Sequence, residues 1–220
     1  RGLGDVYKRQ VDVRMNDGNR QEYHGNISVG LLSARANLEG PIVKDRSSFN
    51  ISVRRTWLDL ITGTALAIVN KNSDTKESFG YHFFDINAKV NHSFSERSRA
   101  YLSFYMGQDA FRQGSKEKHE DSDDMFLWRW GNLIGSAGWN YVFGQKLFGN
   151  LMVGYSRFRS HIRQEAKGYE IEGNREERQS IKRDSRYKSE MEDLSVRLSV
   201  DYSPVSYTHL RAHETPEHLV

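Results

Sequence analysis

The sequence has no cysteine and only three prolines, Pro41, Pro204 and Pro216, in 220 residues. The first absence excludes a disulfide framework and thiol chemistry. The second leaves long stretches free of the residue that interrupts a β-ladder. Hydrophobic residues are few, 37% against 28% charged, leaner than a soluble α/β domain usually is. No apolar run reaches the roughly 18 residues of a membrane helix. The nearest, from Ile61 to Val69, is broken by Thr62, Gly63 and Thr64. There is no basic stripe for nucleic acid, and no phosphate loop, nucleophile elbow or zinc spacing.

What the sequence does have is parity. Phe84, Ile86, Ala88 and Val90 are apolar, while Asp85, Asn87, Lys89 and Asn91 between them are polar. After Ser95-Glu96-Arg97-Ser98, the residues Ala100, Leu102, Phe104 and Met106 repeat the alternation. A period of two predicts β-strands, and two strands about a short polar turn predict an antiparallel hairpin. At about 9–11 residues each, the strands suit a tilted crossing of a bilayer. One greasy face and one polar face is the pattern of a transmembrane barrel wall.

The same alternation recurs along the chain. Tyr23, Ile27, Val29 and Leu31 share a parity, as do Ala34, Ala36 and Leu38, with a tight turn expected near Leu32-Ser33. Residues 40–47 read as a connection, and Phe49, Ile51 and Val53 open another strand. Residues 58–69 are the one stretch where a helix is expected. Leu133, Ala137, Trp139, Tyr141 and Phe143 form a further strand, Leu151, Val153 and Tyr155 its return, and Leu194, Val196, Leu198, Val200 and Tyr202 the last. Short turns fall at 40–47, 95–98 and 144–146. Long polar loops are expected at 58–80, 112–124 and 164–190. In a meander these alternate between rims, as short periplasmic turns and long external loops do. Trp57, Phe83, Phe84, Phe94, Trp128, Trp130, Tyr141, Phe143 and Tyr202 sit near expected strand ends, where interfacial girdles lie. The expected fold is all-β: about eight antiparallel strands in meander order, an open sheet or unsealed part of a larger barrel.

The two ends read differently. Residues 1–10 resemble the translation of a sequencing-library transposase adapter. Back-translated as CGT GGG CTC GGA GAT GTG TAT AAG AGA CAG, they have a reverse complement that encodes 205–213, Val-Ser-Tyr-Thr-His-Leu-Arg-Ala-His, in another frame. Residues 1–10 and 205–220 are therefore expected to lie outside the fold. The first carries +2 and the second −1 of the net charge of +3, leaving +2 between them. His209, His213 and His218 belong to that tail, so they carry no metal reading.

Within 11–204 the wording resembles TonB-dependent outer-membrane receptors. The resemblance lies in Leu38-Glu39-Gly40-Pro41-Ile42-Val43-Lys44-Asp45-Arg46-Ser47-Ser48-Phe49 and Ser52-Val53-Arg54-Arg55-Thr56-Trp57-Leu58-Asp59. Phe84 to Asn91 and Trp139-Asn140-Tyr141-Val142-Phe143 look like the strands that follow. Val11-Asp12-Val13-Arg14 with Asp17-Gly18-Asn19 is similar to the end of the plug domain. The resemblance implies that 11–20 is plug end or linker and 21–204 the N-terminal part of the barrel. It implies a barrel of about 22 strands with a plugged lumen. Such a receptor sits in the Gram-negative outer membrane and imports a siderophore, cobalamin or glycan. Its partners would be outer-membrane lipid and, through upstream segments, the TonB complex. No enzyme activity, cofactor or nucleic-acid partner is expected. The alternatives are a small outer-membrane barrel enzyme and a soluble β-sandwich binding module.

Site candidates are sparse, and no catalytic, cofactor-binding, metal or ligand-binding residue is assigned. His119-Glu120-Asp121-Ser122-Asp123-Asp124 has the carboxylates of a hard-cation site but not the calcium-loop spacing, so a solvated loop is expected. Arg54 and Arg55 should face opposite sides, one toward the lumen and one snorkelling at the interface. Asp85 and Lys89 share the inward parity and are expected to pair with lumenal or plug charges. His82 and Asp85, the only nearby His–carboxylate pair, have opposite parity. Residues 175–186 carry both charge signs and read as a loop for ligand or lipopolysaccharide.

Overall fold

The computed structural model describes residues 15–118, 122–171 and 178–202, with no side chains given for 169–171 and 178–180. The adapter-like ends and Val11–Arg14 lie outside the described residues. Eight strands form one sheet in the order of the chain: β1 (His24–Val29), β2 (Ser33–Val43), β3 (Ser47–Thr56), β4 (Thr75–Ser95), β5 (Ser98–Glu117), β6 (Asp123–Val142), β7 (Leu147–Ile171) and β8 (Arg178–Tyr202). Every neighbouring pair is antiparallel. The sheet is open, with β1 and β8 at its edges. This is the expected meander, and all eight strands lie in one sheet rather than in the two layers of a sandwich. One helix, α1 (Leu58–Val69), lies between β3 and β4, where the sequence allows one.

Strand lengths differ from expectation. β4 to β8 run 21, 20, 20, 25 and 25 residues, about twice a bilayer crossing. Most of the expected loops 112–124 and 164–190 are ladder. Arg112 pairs with Leu127, and Gln164 with Ser185. A ladder needs only backbone hydrogen bonds. Ion pairs such as Arg159–Glu190 across β7 and β8 stand in for apolar pairs there. The connection expected over 40–47 is also shorter. β2 continues to Val43, and Pro41 lies within it, at a register shift between Pro41 and Val43. A bulge is one of the few places where a sheet accepts proline.

β3 stops at Thr56 while β4 continues past it, so the upper edge of β4 has no strand partner. Side chains occupy that edge instead. Thr56 Oγ1 accepts from the Phe83 N–H (2.9 Å), and Thr62 Oγ1 donates to the Phe79 carbonyl (3.0 Å). Asn70 both accepts from and donates to the backbone of Glu77 (3.0 and 2.6 Å). α1 thus covers an edge that would otherwise template pairing.

Among the described residues no hydrophobic side chain is buried. Leu102, Val196 and Leu198 are 64%, 67% and 71% exposed. The register aligns them into one surface. Phe49, Val90, Leu102, Ala137, Val153 and Val196 form a single cross-strand row. The row two residues up runs through Leu38, Ile51, Ala88, Phe104, Gly135, Tyr155 and Leu194. The apolar band takes nine residues of each long strand, for example Leu133–Tyr141 and Leu194–Tyr202. That is the length of a bilayer crossing.

Candidate functional site

The other face is polar at the level of the band, and residues 15–19 lie on it. The row through Glu39, Asn50, Lys89, Ser103 and Ser136 crosses this face. Lys89 Nζ donates to Asp17 Oδ1 (2.6 Å) and to the Met15 carbonyl (3.0 Å). Its ammonium also lies 5.0 Å from the Tyr101 ring centre. The Asp17 carbonyl accepts from Ser48 Oγ (2.7 Å) and Asn91 Nδ2 (2.8 Å), and Ser48 is fully buried beneath it. Glu39 accepts from both Asn16 and Asn50. Gly18 has φ +81°, and a Cβ there would collide with the Phe49 carbonyl. The sequence requires glycine at this left-handed, closely packed position. Lys89 therefore meets a charge from the expected plug-end segment, Asp17.

Asp85 finds a different partner. Arg54 donates to its Oδ2 through Nε (2.8 Å) and Nη2 (2.7 Å), and the carboxylate is 5% exposed. The guanidinium also sits 4.6 Å from the Phe83 ring centre. Arg54 and Arg55 do face opposite sides, with Arg55 on the face of Phe84.

Above the band the polar face becomes aromatic. Tyr81, Phe111, Trp128, Ile162 and Tyr187 form one row, with Phe83, Asp109 and Trp130 in the row below. Phe79 and Phe126 lie in the row above. The rings form two clusters: Phe79 packs edge-on against Phe111 (5.5 Å) and Phe111 against Phe126 (6.0 Å), while Trp128 packs against Trp130 (4.3 Å) and Trp130 stacks on Tyr81 (6.4 Å). Tyr81 donates to Asp109 Oδ1 (2.6 Å), and burial together with that bond pushes its hydroxyl up to about 12. Such a strip offers flat apolar faces and a few fixed polar atoms, the usual make-up of a small-molecule site.

This strip corrects the girdle expectation. Phe94, Tyr141 and Tyr202 do line the apolar face near the short turns, and Tyr141 is in ring contact with Phe143 and with Trp139, which is not among the expected girdle residues. Phe83, Trp128 and Trp130 do not join an upper girdle. They occupy the opposite face. Trp57 instead donates its indole N–H to the Leu31 carbonyl (2.7 Å).

The remaining candidates separate. His119, Glu120 and Asp121 lie outside the described residues, and among those described no metal-binding group of three occurs. Asp123 is 3.9 Å from Lys167. His82 lies 3.6 Å from Asp59 of α1, on the face opposite Asp85. Of the expected loop 175–186, residues 175–177 lie outside the described residues and 178–186 belong to β8, where Asp184 pairs with Arg186 and Arg163. Those guanidiniums hold the Asp184 carboxyl below its ordinary range. Compared with known proteins, the chain matches no family model, no curated protein and no solved structure.

Proposed function

We propose that the chain forms part of the barrel wall of a TonB-dependent outer-membrane receptor, importing a siderophore, cobalamin or glycan. The observation that carries this reading is the two-faced sheet. A nine-residue apolar band covers one face, and a polar face behind it holds the segment ahead of β1. An apolar surface with no covering layer among the described residues suits lipid as its solvent. The Asp17–Lys89 contact suits a plug seated against the wall. On this reading the aromatic strip lies inside, above the bilayer, where an incoming ligand first meets the wall, and Tyr81, Asp109, Trp128 and Trp130 contact it.

The test is expression of the chain in an outer-membrane host, with band-face and polar-face cysteines labelled from lipid or from water. Cysteine at Val153 or Leu198 should react with a lipid-soluble maleimide, and cysteine at Ser103 or Ser136 only with a water-soluble one. A chain that stays in buffer as a compact monomer, labelled equally at all four positions, would overturn the proposal.

A further inference from the structure

We propose that the apolar face carries, directly above its band, a binding groove for the phosphate of a membrane-lipid headgroup. The inference rests on the reading of the band as lipid-facing. The groove, of about 610 Å³, lies between α1 and the upper parts of β4, β5 and β6. Its apolar lining includes Ala110, Met125 and Leu127, and its cations are Arg112 and Arg129.

The register explains why these two arginines act together. Arg112 is paired with Leu127, and Arg129 with Ala110, so they are diagonal neighbours on one face, about 7–8 Å apart at their backbones. Both are exposed, and neither has an ion-pair partner among the described residues. Like charges at this spacing repel, and an anion seated between them would remove the repulsion. The setting is cationic. The cross-strand row of Arg129 continues to His161 and Lys188, and that of Arg112 to Arg163 and Arg186. Neither row holds a carboxylate, although Arg163 is engaged with Glu165 and Asp184, and Arg186 with Asp184, the two acids lying in the same-face row above, that of Met125. Asp59 is the one acid lining the groove, and it faces His82.

Position selects a lipid over a free ion. The rows of Arg129 and Arg112 stand two and three same-face steps above Met106 and Leu133, the top of the band. At about 6.6 Å per step and a tilt of about 45°, that is roughly 9–14 Å along the membrane normal. Arginine side chains reaching downward from there meet headgroups whose acyl chains lie against the band. Arginine forks suit phosphate oxygens.

The experiment uses the full chain reconstituted in detergent micelles doped with phosphatidic acid or with phosphatidylcholine, and counts bound lipid by native mass spectrometry. Wild type should retain phosphatidic acid at least tenfold over phosphatidylcholine. Arg112→Gln with Arg129→Gln should lose that preference, while Arg112→Lys with Arg129→Lys keeps part of it. Unchanged retention in the glutamine variant, with insertion intact, would overturn the groove and leave the wall reading standing. Abolition of retention by millimolar inorganic phosphate would overturn the lipid assignment in favour of a free-anion site. Failure of every variant and of wild type to insert would overturn the lipid-facing band, and the groove with it.

Discussion

The lower and upper halves of the long hairpins share one ladder but have opposite faces. In the lower half of β4, the even positions Phe84, Ile86, Ala88 and Val90 are apolar. In the upper half, the odd positions Phe79, Tyr81 and Phe83 are. β6 changes from odd Leu133 to even Trp130, β7 from odd Tyr155 to even Phe158, and β8 from even Leu194 to odd Met191. The register puts these changes in one narrow zone: β4 and β6 change between the rows of Ile86 and Phe83, β7 and β8 slightly lower, between the rows of Ala88 and Asp85. Below it the apolar side chains point to one solvent; above it they point away from that side, and charges replace them. A boundary shared by five strands marks a change in the surroundings of the sheet. Backbone pairing continues through it unaltered, because hydrogen bonding does not depend on which face is wet.

Placing a charge on the lower apolar face should do most damage. Val196→Arg is expected to cost roughly 2–4 kcal/mol in a bilayer, read as a lower urea midpoint for unfolding from vesicles. Ser195→Arg, one residue away on the polar face, should be close to neutral. Equal effects would dissolve the contrast between the faces.

Next is the boundary itself. Arg54→Met leaves Asp85 nearly buried without its bidentate partner, at about 1–3 kcal/mol in the same assay. Arg54→Met with Asp85→Leu should recover much of the loss; no recovery would mean that the pair does not act as a unit.

A smaller effect is expected where residues 15–19 dock. Gly18→Ala forces a left-handed position, about 1–2 kcal/mol, and pushes on the Phe49 carbonyl. The outcome to look for is faster proteolysis ahead of β1 with the sheet intact. Protection equal to wild type would detach the segment's docking from its glycine.

The smallest concerns the upper strip and pH. The Tyr81 pKa is raised to about 12, above the ordinary tyrosine value of about 10. Its contribution to stability is present below about pH 10 and is lost as pH rises toward 12, because the unfolded chain gives up the proton first. Tyrosinate absorbance should show a late titration component that is smaller in Tyr81→Phe. Identical titration curves would remove the Tyr81–Asp109 bond from the account.

Much of this was legible in the sequence, and for definite reasons. The alternation at Phe84–Val90 and Leu194–Tyr202 fixes strand and face together, since a slip of one residue would invert both. The Ser95–Ser98 turn follows from the same pattern. The upper strands are hidden in the sequence because apolar residues are lost at 112–124 and 164–190 while the ladder continues. The signal that locates the strip is present nonetheless: at Phe83-Phe84 the apolar parity changes without a turn residue. Lys89 was legible as an inward charge, but its partner Asp17 was not, since 72 residues separate them and no local period links them. The helix edge cover was hidden for a similar reason. Thr62 and Asn70 act through single hydrogen bonds to β4, which leave no repeat in the sequence.

The sequential order of the strands has a consequence for how the sheet forms. Each strand pairs only with its neighbours in the chain, so no ladder waits for a distant segment to arrive. Loop-closure entropy stays small at every step, and assembly can proceed one hairpin at a time. Since each unit leans only on the next, stability accumulates nearly additively from neighbour to neighbour, as in repeat arrays. A weak hairpin such as β1–β2 then frays by itself, while the ladders of β4 to β8 hold.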